Sequence, residues 1–320
     1  MNKKLLLVGE PMGLFIAQNV GKLEAAESFS MAVAGAEFNV AVGVTRLNQD
    51  VSYLTKLGND PFGKKIINTM NENNISTKNI VYSEDRATGF MLKSMVESGD
   101  PDIFYFRKGS AASTLSVEDI RNIDFTEFDF VHLTGIFPAL NENTRKVCEF
   151  IADKANEYNI PLSFDPNLRP QLWTSEKEMI DFMNSMARKC DIFLPGIGES
   201  KTLIGEDKPE KIAQRYLDMG VKTVIIKLGP KGAYYKTATE EGYVDGFKVE
   251  RVVDTVGAGD GFAVGVISAM REALPIEECV RRAAAIGAIQ VTHKSDNEGL
   301  PNRSELNKFM SGDKNWRESK

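Results

Sequence analysis

Short apolar runs bounded by glycine, proline or asparagine alternate with longer stretches of helical periodicity along most of this chain, and that rhythm restricts it to architectures built from βα units. The clearest runs are LLLVG (5–9), VSYLTKLG (51–58), FVHLTG (130–135), PLSFD (161–165), DIFLPG (191–196) and TVIIKLG (223–229). Several are apolar nearly throughout, the pattern of parallel strands covered on both faces. Between them, residues 141–158 place Val147, Ile151, Ala155 and Tyr158 on one helical stripe, and residues 258–273 do the same with Phe262, Val266 and Met270. The expectation is an α/β fold with a mainly parallel central sheet flanked by helices.

Two stretches break the rhythm. Residues 28–33 (SFSMAV) alternate strictly, with Phe29, Met31 and Val33 on one face. Residues 88–107 read as two strands, TGFMLKSMVES and IFYFR, joined by the turn Gly99-Asp100-Pro101-Asp102. This antiparallel character predicts a small sheet set apart from the main one. Two placements suit it: an antiparallel edge of the main sheet, or a lid over a site at the carboxyl ends of the parallel strands, where open α/β sheets bind ligands.

Composition narrows the partners. The chain has 320 residues, 42% hydrophobic and 26% charged, ordinary globular values. Thirty-nine basic against 45 acidic residues give a net charge of −6, so duplex nucleic acid and anionic membranes are not expected partners, and any bound polyanion is small and held locally. Cys148, Cys190 and Cys279 form no CxxC pair, and His132 and His293 lie far apart. That count fails the zinc, haem and disulfide-framework readings, and triad chemistry would need one of just two histidines. The amino terminus, MNKKLLLVGE, is too short for a signal-peptide core, and no run of about 18 apolar residues follows. A cytoplasmic protein is expected, with a single domain over residues 1–310, lid insertions at about 11–33 and 87–110, and a polar tail at 311–320.

Three glycine-rich segments are candidates for holding phosphate. Gly58-Asn-Asp-Pro-Phe-Gly63-Lys64-Lys65 nearly matches a P-loop, but Lys65 has no hydroxyl for magnesium and Pro61 removes an amide donor, so it reads as a turn and helix start. Asp254-Thr-Val-Gly257-Ala258-Gly259-Asp260 directly precedes an amphipathic helix. Its small residues allow close approach of backbone to a ligand, and amides at a helix amino terminus can hold an anion. Asp260 there has two readings: a first-turn carboxylate favourable to the helix dipole, or a general base beside an anion hole made by residues 257–259. Lys227-Leu228-Gly229-Pro230-Lys231-Gly232 follows a predicted strand and leads into another, as a hairpin turn or as a lining of the same cleft.

Together these segments resemble the PfkB, or ribokinase-like, family of carbohydrate kinases, over essentially the whole chain and in the right order. Ala34-Gly35-Ala36-Glu37-Phe38-Asn39-Val40-Ala41 looks like the amino-terminal signature GGxxxNxA, with alanine in place of the first glycine. Residues 58–63 match GxDxxG, and DTVGAGD (254–260) matches the carboxy-terminal signature. The resemblance implies a three-layer αβα sandwich with a small β-sheet lid, ATP and Mg2+ as cofactors, Asp260 as catalytic base, Gly257, Ala258 and Gly259 as the anion hole, and residues 227–232 at the nucleotide. The family's NxxE motif is altered: Glu199 is kept while Gly196 stands where asparagine is usual. The implied role of Glu199 is to reach magnesium through water, with no direct metal ligand.

Arg107 and Arg169, at the end of the predicted lid hairpin and just beyond PLSFD, suit a cleft that binds an acidic sugar, because guanidinium presents a rigid fork to carboxylate oxygens. YFRKGSAAS (105–113) and FDPNLRPQLW (164–173) resemble segments of the 2-keto-3-deoxygluconate kinases within the family. That resemblance implies sugar-acid contacts from Gly35, Asn39, Tyr105, Arg107 and Arg169. Phe90 stands where an aromatic residue, often tyrosine, lines the pocket, and Asp296 in the closing segment DNEGLP (296–301) is a further ligand. Asn167, Leu168 and Arg169 border the nucleotide phosphates. The implied activity is phosphorylation of the C6 hydroxyl, with a fructokinase or ribokinase acting on a neutral sugar as the alternative. Apolar residues on the strand at 29–33 suggest a homo-oligomer, a dimer or higher.

Overall fold

The computed structural model describes residues 3–97, 101–293, 296–313 and 315–317. In chain order the strands are β1 (Lys4–Val8), β2 (Met12–Val20), β3 (Phe29–Ala34), β4 (Val51–Gly58), β5 (Ile80–Ser83), β6 (Phe90–Met95), β7 (Ile103–Phe106), β8 (Phe128–Thr134), β9 (Leu162–Asp165), β10 (Ile192–Phe193), β11 (Thr223–Lys227), β12 (Ala233–Thr237) and β13 (Glu241–Val244). Nine of them form one sheet in the order β13-β12-β11-β10-β9-β8-β1-β4-β5, and four form a second in the order β3-β2-β6-β7. The large sheet is parallel from β5 to β11 and antiparallel at β12 and β13.

The apolar runs have a direct structural reason. Successive side chains of a strand point to opposite faces, so Leu5 and Leu7 enter one hydrophobic core while Leu6 and Val8 enter another. Helices α1 (Ala36–Arg46), α2 (Pro61–Glu72), α3 (Val117–Ile120), α4 (Glu142–Glu157), α5 (Glu176–Lys189), α6 (Ile197–Ile204), α7 (Pro209–Asp218), α8 (Ala258–Arg271), α9 (Ile276–Gln290) and α10 (Arg303–Met310) supply the covering layers. Phe38, Ile66, Val264, Val280 and Leu306 bring α1, α2, α8, α9 and α10 to the Leu5 side, and Ile120, Val147, Met179, Leu203 and Ile212 bring α3 to α7 to the Leu6 side. The expected three-layer αβα sandwich is thus present.

Particular elements follow the sequence closely and others do not. VSYLTKLG is β4 to the residue. DIFLPG shrinks to Ile192–Phe193, because Pro195 has no amide with which to extend the ladder. Val147, Ile151 and Ala155 are buried, but Tyr158, expected on the same stripe, is the cap residue after α4 and stays exposed beside Phe125. Asp60 caps α2 by accepting from the Gly63 amide (2.8 Å), so the false P-loop is a helix start.

The small sheet is separate, but it is mixed rather than antiparallel. Residues 12–20 show no clear strand alternation, yet there β2 pairs antiparallel with β3 and parallel with β6. β6 and β7 pair antiparallel as expected, and Gly99 and Asp100 of their connecting turn lie outside the described residues. One face of this sheet carries Met12, Leu14, Ala34 and Met91 in a small buried cluster. The other carries Phe15, Phe90 and Phe106, with Phe62 of α2 against Phe15 and Phe90 and with Phe29, Met31, Phe104 and Phe106 exposed. Among the described residues no helix is long and apolar enough to cross a membrane.

Candidate active site

Polar residues collect where the carboxyl ends of β1, β8, β9 and β11 meet the first turns of α1 and α8. Gly257 precedes α8 in the left-handed region (φ 78°), and a Cβ there would fall 2.5 Å from the Asp296 carbonyl oxygen, so only glycine fits. The helix then opens with Ala258, Gly259 and Asp260, whose amides have no acceptor one turn earlier within the helix. Of the three amides expected to line an anion hole at 257–259, that of Ala258 turns back onto the Thr255 carbonyl at 3.3 Å.

Asn39, on the first turns of α1, donates from Nδ2 to Asp260 Oδ2 at 2.8 Å. Its own oxygen accepts from Asn297 Nδ2 at 3.0 Å, so the side chain is held in one orientation. Burial pushes the Asp260 carboxyl up to about 7; the Asn39 bond and Arg169 pull it down, while Asp165 and Glu37 push it further up. Gly35, before α1, has φ 142° and lies against the Glu10 backbone, with the Glu10 carbonyl 2.9 Å from where a Cβ would sit.

Glu10 and Glu37, which carried no role in the sequence reading, are both buried here. Arg107 is itself buried, and its Nε (2.7 Å) and Nη2 (2.6 Å) both meet Glu10 Oε2, while Ser110 donates to the other Glu10 oxygen. The picture of Arg107 as a free fork is therefore corrected: one side of its guanidinium is committed to Glu10, which fixes the direction of the rest. Glu37 accepts from Thr134 and its carboxyl is raised by burial. Arg107 lies over the Tyr105 ring, 5.7 Å from its centroid.

Phe90 is also corrected. It pairs with Phe106, and its ring stacks on that ring at 4.6 Å between centroids. Strand alternation puts it on the aromatic face, opposite Met91 and Tyr105. One oxygen of Asp296 is engaged, since its Oδ1 receives Lys93 Nζ at 3.1 Å.

At the other end of the cleft, Lys227 closes β11 and places Nζ 2.8 and 2.7 Å from the two oxygens of Asp165, and 3.8 Å from Glu199. Glu199 accepts from the Gly196 amide (2.7 Å) and the Leu168 amide (3.0 Å). Gly196, at the position of the family motif's asparagine, meets Glu199 through its backbone amide. Asn167 donates its amide to Asp165 (3.1 Å), and Arg169 folds back onto the Leu168 carbonyl (2.9 Å). The turn Gly229–Lys231 is exposed, with Leu228 half-buried before it and Gly232 buried after it.

The carboxylates of Asp165 and Glu199 share one ammonium at the cleft, a donor set of the kind that holds magnesium through its waters. No cluster of three or more histidine, cysteine or acidic residues able to cage a metal occurs among the described residues. His132 is buried, bonds Ser163 through Nδ1 and is kept neutral by burial, with its pKa lowered to about 3, so it is a core histidine.

Glu10 sits in GEP beside a glycine just past β1, and Glu37 sits in GAEF two residues after Gly35, and neither pattern by itself names a role. Lys93 sits in an ordinary strand pattern.

The chain as a whole is similar to known proteins. The chain is 42% identical over 313 residues to a 2-dehydro-3-deoxygluconokinase of Bacillus subtilis (strain 168), covering 98% of this chain and 97% of that one. A PfkB protein from Polaromonas sp. JS666 superposes with a TM-score of 0.87 at 40% identity, over 95% of this chain and 99% of that one. A ribokinase-like protein of E. coli, crystallised in complex with ATP and Mg2+, superposes with a TM-score of 0.87 at 25% identity, over 97% and 99% of the two chains. The model of the pfkB family carbohydrate kinases matches residues 2–303, so the signatures at 34–41 and 254–260, the sheet that carries them and the carboxylate at the head of α8 place this chain in the pfkB family of carbohydrate kinases.

Proposed function

We propose that this protein is a 2-dehydro-3-deoxygluconokinase: it transfers the γ-phosphoryl group of ATP to the C6 hydroxyl of 2-keto-3-deoxygluconate, giving the 6-phosphate and ADP. The observation that carries this reading is the pairing of two features in one cleft. Asp260 is a carboxyl tuned to about 7 at the head of a helix, and Arg107 is a buried guanidinium aimed by Glu10. A base tuned near neutrality suits removal of a hydroxyl proton, and an oriented arginine suits a sugar that carries a carboxylate.

In this reading Arg107, Tyr105 and Arg169 hold the sugar acid, with Gly35 and Asn39 closing the other side. Asn39 holds Asp260 so that its free oxygen takes the proton of the attacking hydroxyl. The amides at the start of α8 receive charge that develops on the transferred group. Residues 227–232 and 167–169 line the nucleotide, and Lys227 keeps Asp165 and Glu199 in place. Magnesium, when bound, neutralises phosphate charge; Glu199 and Asp165 would hold it through water. Most of the acceleration comes from positioning and charge stabilisation, because phosphoryl transfer asks little covalent chemistry of the protein.

The exposed aromatic face of the small sheet, at Phe29, Met31, Phe104 and Phe106, suits a second copy of the chain, and we infer a homo-oligomer. A single kinase domain over 1–310 with the small sheet as its lid, working in the cytoplasm, completes the reading. Coupled ADP release measured with 2-keto-3-deoxygluconate, fructose and ribose tests it. Highest kcat/KM is expected on the sugar acid; preference for fructose or ribose would overturn the assignment in favour of a neutral-sugar kinase.

A further inference from the structure

Lys93 belongs to none of the motifs above, yet it joins the small sheet to the segments before α8 and after α9. It lies on β6, 4% exposed, and its ammonium sits between Asp254 Oδ2 (3.2 Å) and Asp296 Oδ1 (3.1 Å). An ammonium taken out of water costs several kcal/mol unless it is paired, as this one is twice. Both carboxylates raise its pKa against the lowering effect of burial.

The two carboxylates belong to the two segments that frame the head of α8. Asp254 uses its other oxygen to accept from the Val256 amide at 3.0 Å, which shapes the turn leading into Gly257. Asp296 places its backbone carbonyl against Gly257, where a Cβ would fall 2.5 Å away. The next residue, Asn297, donates to Val33 O of the small sheet (3.2 Å) and to Asn39 (3.0 Å), and Asn39 holds Asp260 at 2.8 Å. A continuous set of contacts therefore runs from the small sheet through one buried cation to the base.

We propose that Lys93 is a positioning residue that couples the seating of the small sheet to the assembly of the helix-end anion site and the aim of Asp260. Without the ammonium, two acidic side chains face each other in a buried space and part. The turn at 254–257 and the segment at 296–297 then lose their common anchor. Displacement of the small sheet from the body withdraws the same cation, so the transfer machinery is complete only when that sheet is in place.

The proposal rests on the kinase reading above. It is tested by steady-state kinetics of Lys93→Met and Lys93→Arg beside the wild type, with melting temperatures of all three. Lys93→Met is expected to lose about 100-fold in kcat, the scale of a misplacement near 1 Å. KM for ATP and for the sugar acid should stay within about threefold, and Lys93→Arg should recover at least tenfold of the loss. Wild-type kcat in Lys93→Met, a loss confined to KM, or no recovery in a folded Lys93→Arg overturns the proposal. Should Lys93→Met not fold, Asp254→Asn replaces it: a fall of about tenfold in kcat at constant KM supports the coupling, and unchanged kcat overturns it. Absence of sugar-dependent ADP release in the wild type would instead overturn the kinase reading, so the two failures are told apart.

Discussion

Where the nine-stranded sheet meets its helices, the contacts are Leu5, Leu6, Tyr53, Phe164, Val224 and their neighbours, buried on both faces. Where the four-stranded sheet meets the rest of the chain, its own buried cluster is a few side chains around Leu14 and Met91, Phe62 of α2 packs on Phe15 and Phe90, Val33 joins a larger core, and beside these apolar contacts stand charged joints: Lys93 to Asp254 and Asp296, and Arg107 to Glu10. Apolar burial is non-directional and tolerates exchange of similar shapes. A buried ion pair adds little net stability, but it is costly to break from one side and fixes orientation. The large sheet thus serves as a platform, and the small one is held in part by charged contacts that, in the function proposed above, also aim catalytic groups.

That contrast is open to attack in several ways. The largest effect belongs to the site itself. Asp260→Asn should lower kcat by about 10³-fold or more, measured by coupled ADP release. The same variant should melt higher than the wild type at pH 8. The folded carboxyl titrates near 7 against an ordinary value of 3.8, so above pH 7 the fold carries an ionised group it disfavours, a penalty that vanishes as pH falls below the unfolded value. An unchanged or lower melting point would show that the ionised carboxylate is stabilised by groups not recognised here.

Arg107→Ala comes next. It leaves Glu10 buried without its cation, a loss of about 3–5 kcal/mol in stability, read by urea unfolding. Adding Glu10→Gln should restore much of the stability and none of the activity on the sugar acid. Recovery of both would mean that Arg107 serves the fold alone. In the large sheet, Leu6→Ala should cost about 2–5 kcal/mol through the cavity it opens, with kcat of the folded fraction nearly unchanged. A matching collapse of kcat would abolish the distinction between platform and aiming contacts.

Smaller effects follow. The wild-type kcat/KM should climb as pH rises and level off above about 7, because only ionised Asp260 accepts the proton. A flat profile from pH 5 to 8 would remove the base from that role. Phe106→Asp, on the exposed aromatic face, should yield a monomer by light scattering with Asp260 chemistry retained. A wild type that is already monomeric would leave that face without its second copy.

Much of this was legible in the residues. VSYLTKLG, LLLVG and TVIIKLG announced buried parallel strands because a strand covered on both faces leaves no polar position. DTVGAGD announced a helix head with a carboxylate because small residues before an amphipathic stripe have few other uses. β2 escaped notice, and with it the parallel pairing to β6, since MGLFIAQNV alternates too weakly to declare a face. Phe90, expected at the pocket, stacks on Phe106 on the aromatic face of the small sheet, and a single residue does not reveal which way its strand turns. Glu10 was silent for another reason: its partner is 97 residues away, and no local pattern encodes an ion pair at that separation.

Alternation of apolar runs with helical stripes determined the layers, and the signatures at 34–41 and 254–260 determined the kind of chemistry, because both depend on neighbours in the chain. Tertiary structure alone decided how Asp260 is tuned, which side of Arg107 is spent on Glu10, and that Lys93 binds together the segments at 254 and 296. Those properties arise from burial and charge between residues that meet only after folding, where a few ångströms set the strength of each interaction.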